Sequence, residues 1–406
     1  MCNISAPKNL VICALIAFGS FMTAFDAGRA ATYSIFYNFP GGRRGEIPTG
    51  KLLFDGSGNI IGATAAGARG GVVYRLSPSG KETVLFSKFN KAGADSGVIA
   101  DSSSNLYGAT WAGGNGPCKV HKRIIGCGTV YKLSPDGTES VLYAFQGGVD
   151  GYYPNGGLVA DASGNLYGTT RAGGDGTACT PYCGIVFKIA PDGTETVLHV
   201  FQGGTGDGWY PWAGVILDQA GNLYGTTIEG GAFGFGTVFK VTPDGTESLV
   251  YSFKGRGDGD EPIGELTFDS GGNLLGTTSG GGTAGNGTVF RIAPDGTESV
   301  LYSFTGGSDG GYPASGLALD ASGNMYGVTE LGSVSSCGIE AGCGSVFELS
   351  PDGTETTLHD FAWGTDGVQP RNTPTLYNGN LFGSANGGAQ GFGIIFEVTL
   401  SGSRAD

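Results

Sequence analysis

The chain carries seven copies of one phrase, and that repetition restricts its fold more than any other feature. Gly-Asn-Leu-Tyr-Gly-Thr-Thr stands whole at Gly164 and Gly221, and variants centre on Asn59, Asn105, Asn273, Asn324 and Asn380. Successive asparagines are 46, 60, 57, 51, 51 and 56 residues apart. A unit of that length is one supersecondary module that hides its apolar face only against its neighbours. In the third copy, residues 157–161 and 165–170 are apolar runs joined by Ala-Ser-Gly, a turn that Asp161 can close through its own following backbone. A Gly-rich stretch, 171–184, leads to a third run at 185–189. Pro191-Asp192-Gly193-Thr194 then turns the chain with hairpin geometry, and residues 196–201 alternate as a fourth strand. Nothing after the first thirty residues shows an apolar pattern at helical spacing.

Four short strands per unit fit a β-propeller blade, with a linear β-solenoid as the rival. The chain ends decide. Tyr33-Ser-Ile-Phe-Tyr-Asn-Phe39 matches the fourth-strand phrase Val141-Leu-Tyr-Ala-Phe145 but precedes the first asparagine motif, while the seventh copy stops after its third run, 394–398. The expected fold is all-β: a seven-bladed propeller closed by the N-terminal strand, which completes the last blade.

Lys8, an apolar run over 10–25 and Gly28-Arg29-Ala30 have the order of a secretory signal, and the run is short for a membrane span. The organisation read here is a signal peptide at 1–30, the propeller at 31–402 and a short tail at 403–406. The mature chain is expected to be secreted or periplasmic, monomeric and not stably inserted in a membrane. Its six cysteines fall in three local pairs, 118–127, 179–183 and 337–343, inside the three longest intervals. Disulfides suit an oxidising compartment. Zinc is the rival, but the pairs share no ligand spacing and only His121 is near one of them. Lys and Arg number 22 against 36 Asp and Glu, a net charge of −14, which repels phosphate backbones and argues against nucleic acid.

The phrases Gly-Asn-Leu-Tyr-Gly-Thr-Thr, Gly-Thr-Val-Phe-Lys and Pro-Asp-Gly-Thr-Glu resemble the tandem GloVer (Gloeobacter–Verrucomicrobia) repeat of secreted bacterial proteins, over about residues 33–400. The resemblance implies an exported or surface protein and brings no established activity. Members often carry a C-terminal sorting anchor, whereas this sequence ends Leu-Ser-Gly-Ser-Arg-Ala-Asp406 without an apolar tail.

Residues present in nearly every copy serve the blade. Asp55, Asp101, Asp161, Asp218, Asp269 and Asp320 share the first turn; Asp136, Asp192, Asp244, Asp295 and Asp352 share the Pro-Asp-Gly turn; and Glu82, Glu139, Glu195, Glu247, Glu298 and Glu355 follow it. Turn capping and solvation are their expected roles. Asp-Gly-x-x-Pro recurs in the inter-blade loops, and Asp258, Asp260 and Glu261 make one of them a weak calcium candidate. Calcium needs six to eight oxygens, so no metal or cofactor is implied overall. His199 and His359 replace the fourth-strand tyrosine and read as blade residues. There is no phosphate loop, nucleophile elbow or His-Glu-x-x-His.

Singular residues gather in loops that propeller geometry places on one face. The segment Cys118–Cys127 brings Lys119, His121, Lys122 and Arg123 to an acidic protein, aromatics stand at Tyr152, Tyr153, Trp209, Tyr210, Trp212 and Tyr312, and Arg371 follows the last Asp-Gly-x-x-Pro. These rings either seal blade against blade or contact a ligand. The leading expectation is a non-catalytic propeller that binds an extracellular carbohydrate or protein on this face. The alternative is a polysaccharide lyase or hydrolase at the same place, with His121, Tyr153 and Arg371 as candidates.

Overall fold

The computed structural model describes residues 31–67, 70–89, 92–94, 96–174, 183–332, 337 and 342–400. The expected leader 1–30, Cys179 and the tail 403–406 lie outside them. Seven four-stranded antiparallel sheets follow one another as blades of a propeller. Blade 1 runs Glu46–Phe54, Ile60–Ala66, Val73–Leu76 and Glu82–Phe86 from the centre outward. Blade 4 runs Ile216–Leu217, Leu223–Thr227, Thr237–Val241 and Glu247–Ser252 in the same order. Blade 7 takes three strands from the C-terminal end, and its outer strand is Thr32–Asn38, paired antiparallel with Ile394–Thr399. The ring closes as the sequence predicts, and an edge that would expose unpaired N–H and C=O groups is covered.

The repeated residues have physical reasons. In the first turn of blade 3, Asp161 Oδ1 accepts from the backbone N–H groups of Ser163 and Asn165, both at 2.9 Å, and Oδ2 accepts from the Asn165 side chain at 2.7 Å. The same three bonds recur at Asp55, Asp101, Asp218, Asp269 and Asp320, which is why Asp and Asn repeat together four residues apart. The glycine of Leu-Tyr-Gly-Thr-Thr lies under an aromatic ring of the neighbouring strand: a Cβ on Gly327 would sit 2.4 Å from Phe347 Cζ. Those rings also join the blades. Phe145, Phe201, Phe253, Phe304 and Phe361, each closing an outer strand, meet Phe187, Phe239, Phe290, Phe347 and Phe396 of the next blade edge-to-face at 5.0–5.4 Å. All ten are fully buried.

Cys118–Cys127 and Cys337–Cys343 are disulfide-bonded. Cys183 is also in a disulfide, and its expected partner Cys179 lies outside the described residues. Among the described residues no helix is long and apolar enough to cross a membrane.

Candidate functional site at the mouth of the central channel

The innermost strands surround a cavity of about 1080 Å³ to which all seven blades contribute. Its floor is dictated by small residues. A Cβ on Gly156 would fall 2.0 Å from the Gly214 nitrogen, and one on Gly50 would fall 1.9 Å from the Gly97 nitrogen, because neighbouring inner strands meet backbone to backbone there. Where blade 7 meets blade 1, the Asn372 side chain takes over: its Oδ1 accepts from Gly50 N at 2.8 Å and its Nδ2 donates to Pro48 O at 3.0 Å.

In six of the seven blades one position is aimed at the mouth by an unusual backbone. Ile47, Tyr153, Tyr210, Glu261, Tyr312 and Gln369 each precede the proline of the inter-blade loop, and each has a positive φ, between 49° and 63°. For residues with a side chain this left-handed region is unfavourable, by about 1–3 kcal/mol each, and persists only where surroundings hold it. Two contacts hold it here. Each of these N–H groups donates to a carbonyl of the preceding blade at 2.8–3.2 Å, the acceptors being Phe392, Cys127, Cys183, Phe235, Asn286 and Cys343 in the same order. The proline that follows packs on a glycine of that blade; a Cβ on Gly287, for instance, would lie 2.5 Å from Pro313 Cδ. Three of the six acceptors are thus disulfide cysteines. The cross-links pin the carbonyls that fix mouth residues of the next blade, a link that sequence spacing does not disclose.

The mouth has two chemical sides. On one, Arg171 lies 5.7 Å from the ring centres of both Tyr153 and Tyr210 and 5.1 Å from that of Trp212, and Trp111 is 5.7 Å from Tyr153. On the other, Tyr312 stands among carboxylates. The Ser279 hydroxyl donates to Glu261 Oε2 at 3.2 Å, and Arg371 is paired with the buried Glu330. Burial raises the Tyr312 hydroxyl above its usual value, with Glu261 and Glu330 adding to the rise. Glu229 is raised by burial and then by the charges of Glu261 and Asp260, and Asp260 by burial and then by Glu261. Deeper in the channel, enclosure raises Glu265, and Lys51 partly offsets the rise.

The residues singled out from sequence divide accordingly. Tyr210, Trp212, Tyr312 and Arg371 line the cavity, and Tyr153 stands beside it against Arg171. Tyr152 packs into a core cluster of the blade 2–3 seam, and Trp209 pairs with Glu229 in a short ladder without lining the cavity. Lys119, His121, Lys122 and Arg123 form an exposed hairpin, Lys119–Val120 against Arg123–Ile124, turned by His121 and Lys122 at positive φ. None of these four lines the cavity. Of the calcium candidates, Glu261 lines the mouth and Asp260 lies near enough to feel its charge, whereas Asp258 turns into a blade seam and accepts from the Tyr251 hydroxyl at 2.6 Å. Lys51, Arg171, Glu229, Glu265, Glu330 and Gln369 were not picked out from the sequence. The available signal was that the pre-proline position and its neighbours vary between copies while everything around them repeats.

The fold and this mouth define a seven-bladed propeller whose repeated framework presents non-repeating side chains around a channel. The Gloeobacter/Verrucomicrobia repeat matches residues 21–182 and 124–341, and the chain belongs to that family. No curated protein matches it in sequence. Among solved structures it is similar to a putative 6-phosphogluconolactonase from Bacteroides uniformis, at 16% identity over 81% of this chain and 88% of that one, with a TM-score of 0.51. It is also similar to puromycin hydrolase, at 14% identity over 85% of this chain and 51% of that one, with a TM-score of 0.52. At such identities the likeness is one of fold.

Proposed function

We propose that the protein acts outside the cytoplasm as a non-catalytic binder of neutral carbohydrate, taking the sugar at the mouth of its central channel. The observation that carries this reading is the ring of strained pre-proline side chains, held by the preceding blades around a cavity of about 1080 Å³. Rigid Tyr and Trp faces stack on the C–H faces of a pyranose. Glu229, Glu261, Gln369 and Arg371 supply acceptors and donors for hydroxyl groups, the small convergent polar set of a specific pocket. Acidic side chains outnumber basic ones there, which disfavours a uronate, and the disulfides suit an extracytoplasmic home.

A glycosidase at the same mouth is the second reading, favoured by one observation. Glu229, Asp260 and Glu265 are carboxyls held above their usual range near other acidic groups or the channel wall, and glycoside hydrolysis uses a protonated carboxyl beside an ionised one. For the lyase variant, His121 sits on the exposed hairpin and does not line the cavity, which leaves Tyr153, beside Arg171, as the candidate base.

The test is a glycan array of neutral, uronate-containing and amino-sugar chains, followed by assay of any bound chain for new reducing ends. Binding of neutral chains without cleavage is expected. Cleavage favours the glycosidase, and binding confined to uronates overturns the assignment to this mouth.

A further inference from the structure

At three of the seven blade seams the same three groups meet. A tyrosine near the end of one outer strand donates to the aspartate of the inter-blade loop: Tyr143 to Asp150 at 2.8 Å, Tyr251 to Asp258 at 2.6 Å, Tyr302 to Asp309 at 3.0 Å. The glutamate that begins the next outer strand lies near the pair: the Tyr251 hydroxyl also reaches Glu298 at 3.4 Å, and the charges of Asp150, Asp258 and Asp309 act on Glu195, Glu298 and Glu355. Two seams put histidine in place of the tyrosine. At the blade 6–7 seam, His359 Nε2 is 3.1 Å from Asp366, and the glutamate's place is filled by Tyr33, whose ring stacks on the imidazole at 3.5 Å. At the blade 3–4 seam the glutamate is kept. His199 Nε2 is 3.2 Å from Asp207 Oδ2, and ligand atoms of His199, Asp207 and Glu247 all lie within 4.8 Å of one another, the one such grouping among the described residues.

We propose that His199, Asp207 and Glu247 form a binding site for a divalent transition-metal ion of the zinc class. One imidazole and two carboxylates with a fourth position left for water is a donor set that zinc accepts, and three ligands are too few for calcium. Ligand atoms around tetrahedral zinc stand about 3.3 Å apart. The His199–Asp207 pair already has that separation, so only the Glu247 side chain has to close in. Asp207 is held from behind by the N–H groups of Gln202 at 2.7 Å and Gly208 at 2.6 Å, and the imidazole is oriented edge-to-face on Phe201 at 4.9 Å. Outer contacts of this kind fix a ligand's direction. Glu247 Oε1 is buried with no hydrogen-bond partner, so an acceptor stands ready at the site. Access remains, because the His199 and Asp207 side chains are 16% and 10% exposed.

The seam repeat supplies its own controls. His199→Tyr installs the residue that other blades carry at this place, so it removes the imidazole within a tested packing, and His359→Tyr does the same where no glutamate is present. The experiment is calorimetric titration of the untagged, EDTA-stripped full chain with zinc chloride, repeated with cobalt chloride and read by visible absorption. The wild type and His359→Tyr are expected to bind one ion with equal affinity, and His199→Tyr and Glu247→Gln to bind at least tenfold more weakly. A wild type that takes up no zinc overturns the proposal, as does unchanged affinity in both His199→Tyr and Glu247→Gln.

Discussion

The seam glutamates make this propeller's stability depend on pH in a direction opposite to that of ordinary salt-bridged carboxylates. Burial, reinforced at Glu195 and Glu298 by the neighbouring loop aspartate, raises Glu195, Glu298 and Glu355 to about 7 from 4.5. Glu195 and Glu298 each keep one oxygen buried without a partner. A carboxyl raised by folding binds its proton more tightly in the native state. Its contribution is therefore complete below about 4.5 and disappears as pH rises to about 7. At about 1.4 kcal/mol per pKa unit the rise is nominally worth about 3 kcal/mol per group. All three are half-exposed, and solvent screening reduces this to about 1 kcal/mol each. Three groups then give about 3 kcal/mol between pH 5 and pH 8, or about 4 °C in melting temperature for a domain of this size. The first-turn carboxylates of Asp55, Asp101, Asp161, Asp218 and Asp269 are held below their usual value by their hydrogen bonds, which outweigh burial, and oppose this only below pH 4. The assay is thermal melting of the wild type and of the triple variant Glu195→Gln, Glu298→Gln, Glu355→Gln at both pH values. The wild type should melt higher at pH 5 than at pH 8, and the variant should lose most of that difference and match or exceed the wild type at pH 8. A wild type that melts higher at pH 8, or a variant with an unchanged pH slope, would refute the reasoning.

Other expectations follow from particular contacts. Deleting residues 31–40 strips the outer strand from blade 7 and should lower the melting temperature by well over 10 °C with aggregation through the bared edge; light scattering during the melt reads both. Gly327→Ala drives a methyl into the Phe347 ring and should cost about 1–3 kcal/mol in urea denaturation. Replacing Cys118 and Cys127 by alanine should remove roughly 2–3 kcal/mol or less, since the closed loop is short. The same pair should weaken ligand binding more than stability suggests, because the Cys127 carbonyl holds Tyr153 N–H at 2.9 Å; affinity and melting measured on one preparation would show it.

The blades, their number and the closing strand were legible because each is a sequence repeat or a displaced copy of one. The first-turn aspartates were legible too, since capping a turn is a local act. The glutamates of Pro-Asp-Gly-Thr-Glu were not. Read as solvated turn residues, they begin outer strands whose side chains reach the preceding blade: Glu298 accepts from the Tyr251 hydroxyl at 3.4 Å and is raised to about 7 by burial and then by the charge of Asp258. That contact joins residues about fifty positions apart, beyond anything local pattern can register. The basic loop drew attention by its composition, yet its disulfide matters to the channel through a backbone carbonyl, and its charged side chains point to solvent. Tyr210, Trp212, Tyr312 and Arg371 stood out as singular residues, while Glu229, Glu265 and Glu330 are single carboxylates in three different blades and converge only when the ring closes.

The central claim, that the varied side chains around the channel mouth are the binding surface, is tested most directly by comparing two variants in their affinity for a glycan selected on the array. One carries Tyr210→Ala, Trp212→Ala and Tyr312→Ala at the mouth, and the other Lys119→Ala, Lys122→Ala and Arg123→Ala on the hairpin. With both folded by circular dichroism, titration should show the mouth variant at least a hundredfold weaker than the wild type and the hairpin variant within threefold of it. Affinity that survives at the mouth variant and falls at the hairpin variant would contradict the account.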